Sequence, residues 1–195
     1  MKTNAELLDS LRETLPVFDL HIMATDDGNV LSGVTDQPMA EPLSDLIRQH
    51  FEGQQMEYNF RVRPLNEIMK IKSVADHDTT GEAELTSLAV LQQHFHLFEH
   101  CNYVSHTISA GSTLELLVRI NKTKATALLY DHVNKYFYGP CINPQPVAGL
   151  REDFMDGTGN MVSQSDADLV SRSMGFDIIR GFMLFRKLHS RINWR

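Results

Sequence analysis

The chain is poor in the features that mark disulfide-stapled, membrane-spanning or nucleic-acid-binding proteins. Only two of its 195 residues are cysteine, Cys101 and Cys141. Two thiols cannot build a disulfide framework, so reduced cysteines in a cytosol are expected. No apolar run approaches the roughly 20 residues that span a bilayer; Phe182 to Phe185 is far too short, and no membrane span is expected. Met1 to Leu15 is polar and amphipathic without an apolar core, which does not fit a secretory signal, and the expected location is cytoplasmic. Positive charge is also scarce: the net charge is -7. A surface of that sign excludes general nucleic-acid binding, because phosphate contacts need lysine and arginine.

Hydrophobic residues make up 42% of the chain, enough for a real core. The charge is uneven. Residues 1–100 carry 17 acids against 7 bases, whereas residues 101–195 carry 8 acids against 11 bases. After residue 170 only Asp177 offsets Arg172, Arg180, Arg186, Lys187, Arg191 and Arg195.

Periodicity gives the order of elements. Asn4 to Thr14 reads as a helix with a leucine stripe, ended by Pro16. Phe18, Leu20, Ile22 and Ala24 alternate with Asp19, His21 and Met23 as a half-buried strand, Asp26-Asp27-Gly28-Asn29 is a tight turn, and Val30 to Val34 is the return strand. A helix is expected over Pro38 to Phe51, a strand around Tyr58 to Val62, and a less regular strand over Ile68 to Val74. Glu82 to His100 carries a long helical pattern. Leu114 to Tyr130 fits a hairpin or a helix. Gly139 to Gly159, rich in proline and glycine, reads as a long loop. Ser165 to Met174 then reads as a short helix, and Met174 to Ile192 as an amphipathic helix with a basic outer face.

This order implies an α+β fold: an antiparallel sheet with flanking helices and a C-terminal helical extension. The expected organisation is a core domain over 1–138, a Pro/Gly-rich loop over 139–163, and basic amphipathic helices over 164–195 packing on the core. The Phe18 to Val34 hairpin, with its Asp-Gly turn, resembles the opening hairpin of PAS- and GAF-type sensor domains.

Four of the nine histidines fall within residues 94–106: His94, His96, His100 and His106. His96-Leu97-Phe98-Glu99-His100 spells H-x-x-E-H, and in these five residues the chain resembles the inverted-motif zinc peptidases. On a helix, residues i and i+4 place two imidazoles within reach of one metal. The resemblance therefore implies zinc on His96 and His100 with Glu99 as general base. The family's third ligand is a glutamate from a later helix. Neither Glu115 nor Glu152 sits in such a context, so the candidates for a third ligand are His106 and Cys101, with His106 favoured because Cys101 falls on the apolar side of the helical pattern. His94 falls instead in the apolar arc of the same pattern, where a histidine is expected to be a hydrogen-bonded core residue.

Other patterns are incomplete. Glu152 to Ser163 places Asp156, Gly157, Thr158 and Asn160 as a calcium loop would, but Phe154 and Ser163 stand where ligands are needed. There is no phosphate loop and no G-x-S-x-G elbow. The C-terminal segment aligns Arg180, Lys187 and Arg191 with Trp194 beside them, a surface suited to an acidic protein partner, to self-association, or to docking on the chain's own acidic first half.

The expectation is thus a binding module without chemistry of its own, a regulator, sensor or adaptor that recognises a small ligand or a protein and needs no cofactor. Two alternatives stand beside it: a zinc-dependent hydrolase built on His96, Glu99 and His100, and a structural subunit of a larger assembly such as a secretion apparatus or virion.

Overall fold

Leucine spacing and a proline define the first element of the structure, a computed structural model that describes residues 4–26, 28–37, 56–76, 79–139, 147–187 and 194. Helix α1 spans Asn4–Thr14. Strand β1 (Phe18–Thr25) turns back into β2 (Gly28–Thr35), with Thr25 opposite Gly28, as the Asp-Gly signal requires. β3 (Met56–Val62) runs parallel to β2 and completes a three-stranded sheet. Leu8, Leu11 and Leu15 of the α1 segment meet Val17, Leu20 and Leu31, with Tyr58 and Phe60 from β3, in a small core of their own. The helix expected over Pro38 to Phe51 lies outside the described residues.

The second sheet has seven strands: β4 (Met69–Ala75), β5 (Thr80–Leu85), β6 (Val104–Ala110), β7 (Leu114–Ile120), β8 (Lys124–Asp131), β9 (Tyr136–Tyr138) and, late in the chain, β12 (Val170–Ser171). Its order is β5-β4-β6-β7-β8-β12, with β9 also on β8, and every pairing is antiparallel. The α+β class with a mainly antiparallel sheet is therefore observed, and Leu114 to Tyr130 is a hairpin. The Phe18–Val34 hairpin belongs to the smaller sheet and not to this one.

One face of the larger sheet is apolar. Met69, Ile71, Ile108, Leu116, Val118, Ile120, Ala125 and Leu129 are buried there under helices α2 (Leu88–His96) and α3 (Arg172–Phe185). α2 is capped by Ser87, whose hydroxyl accepts from the Val90 amide, and Asp36 from the end of β2 accepts from the Leu88 amide at 2.9 Å. α3 is wedged between the two sheets. Gly175 faces β8 so closely that a Cβ would sit 2.5 Å from the Ala125 Cβ, and at Gly181 it would sit 2.7 Å from the Phe18 ring. Two glycines thus let one helix touch both sheets.

Four expectations are corrected. Glu82 to His100 is not one helix: Thr80–Leu85 is a strand, and the helix begins only after Ser87. Glutamate, alanine and leucine favour helix locally, but pairing to β4 decides the outcome. The Gly139 to Gly159 region contains β10 (Arg151–Met155), which forms a hairpin with β11 (Met161–Ser165). Ser165 to Met174 is a 3-10 turn over Asp166–Asp168 followed by β12, and the final helix starts at Arg172 because Ser171 caps it. That helix ends at Phe185 and has no exposed basic face: every residue from Gly175 to Leu184 is buried.

Candidate functional site

The expected zinc site does not assemble. His96 is the last residue of α2, and Leu97 to His100 form a tightened turn, so His96 and His100 lose the one-face i,i+4 geometry. His96 Nδ1 lies 3.3 Å from Glu99 Oε2 in an exposed pair. His106 lies on β6 and is 1% exposed, inside the core. Among the described residues no three His, Cys, Asp or Glu side chains form a group able to hold a metal.

The histidines that do converge are His94 and His106, and the residue that joins them is Ser73. The Ser73 hydroxyl lies 2.7 Å from His94 Nε2 and 2.7 Å from His106 Nδ1. All three side chains are buried. One hydroxyl supplies one proton, so it donates to one ring and accepts an N–H from the other. Phe95 and Phe98 close around His106, with ring centroids 5.2 and 5.8 Å away. Burial pushes the His106 imidazole down to about 3, aided by His94 and Arg172, and burial also lowers His94. Both rings are neutral near neutral pH. A serine between two imidazoles has the parts of a nucleophile and base, but no solvent-exposed atom of this trio meets a substrate. Cys101 is likewise buried, and burial raises its thiol, which opposes thiolate chemistry.

The expected C-terminal docking surface is also rearranged. Arg180 is 0% exposed. Its Nη1 donates to the Arg12 carbonyl at 2.5 Å and lies 3.4 Å from Asp177 Oδ1, while Nη2 donates to Gln92 Oε1 at 2.8 Å. Gln92 in turn donates to the Glu13 carbonyl, and Arg172 Nε donates to Glu13 Oε2 at 3.1 Å. Arg180 therefore ties α1, α2 and α3 together and presents nothing to a partner. Lys187 is exposed, Arg191 lies outside the described residues, and Trp194 is half-buried against the protein's own core. In the Glu152–Ser163 segment, Asp156 Oδ1 accepts from the amides of Thr158 and Asn160, so its carboxylate serves the hairpin turn.

Among the described residues, what remains open is the other face of the larger sheet. Alternation places Lys70 and Lys72, Glu82 and Glu84, Thr107 and Ser109, and Glu115 on that face. The β10–β11 hairpin covers part of it. Phe154 and Met155 are buried, Asn121 Nδ2 donates to the Asp153 carbonyl, and Gly157 lies against Thr107. Beyond the hairpin those polar residues line a cleft of about 560 Å³. Lys72 Nζ lies 3.9 Å from Glu82 Oε1, and both side chains are mostly exposed. The cleft offers cations, carboxylates and hydroxyls on a rigid strand platform, a surface for recognition of polar groups.

None of these residues stands out one at a time in the sequence. The available signal was the repeated two-residue spacing of Lys70 with Lys72 and of Glu82 with Glu84, which marks the exposed side of two strands. Comparison with protein-family models and with curated proteins gave no match to this chain.

Proposed function

We propose that the protein is a non-enzymatic binding module that recognises a polar small ligand or an extended protein segment on the open face of its seven-stranded sheet. One observation carries this reading. The sheet is covered by helices on one face and only in part by the β10–β11 hairpin on the other, leaving the cleft at Lys70, Lys72, Glu82, Glu84, Thr107, Ser109 and Glu115. Its volume lies within the range of ordinary ligand sites, roughly 300–1,000 Å³. The only serine bonded to histidine among the described residues is sealed, so the accessible polar chemistry is that of contact.

In mechanism, the sheet holds the cleft's side chains in fixed register: Lys70 opposite Glu84, and Lys72 opposite Glu82. A ligand exchanges water for these preset partners at little ordering cost. The test is an amide-resolved NMR screen of the full chain against a fragment set of amines, carboxylates and polar amides. Shifts clustered on Lys70, Lys72, Thr107, Ser109 and Glu115 are expected. Hits confined to other surfaces, or no hits, contradict the reading.

A further inference from the structure

Strand β5 ends the sheet, and no described residue pairs with its outer side. The phase of its backbone is set by one hydrogen bond. The Ala75 amide donates to the Thr79 carbonyl at 2.8 Å, so Thr79 is a hydrogen-bonded partner of β4. By antiparallel alternation Gly81, Ala83 and Leu85 also turn their amides and carbonyls to β4. Thr80, Glu82 and Glu84 turn theirs outward, away from β4, where no described residue pairs with them. The side chains of those same three residues are exposed, on the cleft face, while Gly81 lies against Phe98 and His94 on the other face.

The charges along this edge are ordered. β4 sets Lys72 and Lys70 directly opposite Glu82 and Glu84, so the face already alternates a basic strand with an acidic one. A second copy pairing edge to edge would bring glutamates against glutamates, which disfavours self-association here. A basic strand continues the pattern.

We propose that the outer edge of β5 receives an extended segment of a partner protein carrying lysine or arginine at alternate positions, which joins the sheet as a further strand and sets its cations against Glu82 and Glu84. Backbone bonds to Thr80, Glu82 and Glu84 supply affinity, and the two carboxylates supply selectivity for basic side chains. This inference rests on the open-face reading and names the partner it would take.

The probe is a synthetic nonapeptide alternating lysine with valine, with its glutamate–valine counterpart as control, added to the full chain. Hydrogen exchange should slow at the amides of Thr80, Glu82 and Glu84 with the lysine peptide and not with the control. Glu82→Pro removes one outward amide together with the Glu82 carboxylate and leaves the β4 ladder bonds in place, and it should weaken binding by roughly tenfold or more. Glu82→Gln with Glu84→Gln should weaken it and flatten its salt dependence, a readout that survives if the proline variant fails to fold. Failure of the lysine peptide to bind overturns the proposal and leaves the glutamates as guards against edge pairing, and equal binding of the control overturns it by showing that the edge does not select cations. Binding at Lys70, Thr107 and Ser109 with no protection along β5 overturns the edge proposal while sparing the cleft reading. An empty fragment screen alongside a protected β5 does the reverse.

Discussion

His106 and Thr107 are neighbours on β6 and face opposite sides of one sheet. His106 is sealed beneath Phe95 and Phe98 and bonded to Ser73, whereas Thr107 lines the open cleft. The inner face thus pairs polar groups with one another, and the outer face leaves Thr107, Ser109 and their charged neighbours exposed along the cleft. The contrast separates polar residues that hold the fold from polar residues that line the cleft. Composition alone cannot separate them, because the types overlap: serine sits on both faces, as Ser73 and as Ser109.

The largest break in this contrast is expected at Arg180. Arg180→Ala leaves Gln92, Asp177 and the Arg12 carbonyl without their buried partner, and unfolding in urea should show a loss of about 3–5 kcal/mol. A loss near zero would mean the guanidinium is solvated and the three-helix junction loose.

Acid should come next. The unfolded chain protonates a histidine near 6.5, while folded His106 resists until about 3. The unfolded state therefore binds more protons, and stability falls as pH drops below 6.5. From His106 the loss is about 3 kcal/mol between about pH 7 and pH 4. Asp177 works in the other direction. Burial raises its carboxyl from 3.8 to about 6 against the pull of Arg180 and Arg12, so its contribution is full below 3.8 and lost as pH rises through about 6. Asp177→Asn should therefore make the acid loss steeper. An unchanged slope in urea melts across that window would contradict the assignment.

Smaller effects sharpen the two-face division. Ser73→Ala strips both imidazoles of their shared partner and should cost about 1–3 kcal/mol, whereas Ser109→Ala on the open face should stay within about 0.5 kcal/mol. Equal costs at the two serines would erase the distinction.

Much of the framework was legible from local pattern. The Asp-Gly turn placed the β1–β2 hairpin, two-residue alternation placed β3, and the apolar arc placed His94 inside. The misreadings have physical reasons. Glu82 to Leu85 of β5 are helix-forming residues, and only pairing with β4 makes them a strand. The H-x-x-E-H letters match, but the helix stops at His96, so the spacing loses its meaning. Arg180 looks like a surface cation because its partners, the Arg12 carbonyl and Gln92, are 168 and 88 positions away in sequence. The cleft is built the same way, from four strands whose side chains meet only after the sheet forms.

The most direct test of a sealed inner face is the titration of the His94 and His106 ring signals by NMR in the intact protein. The expected result is that His106 stays neutral as the pH is lowered through the ordinary histidine range, unprotonated until about 3 or until the chain unfolds, and that His94 takes its proton below the ordinary histidine value. Reversible titration of His106 near 6.5 in the folded state would show water at the Ser73 network and contradict the division between a structural and a binding face.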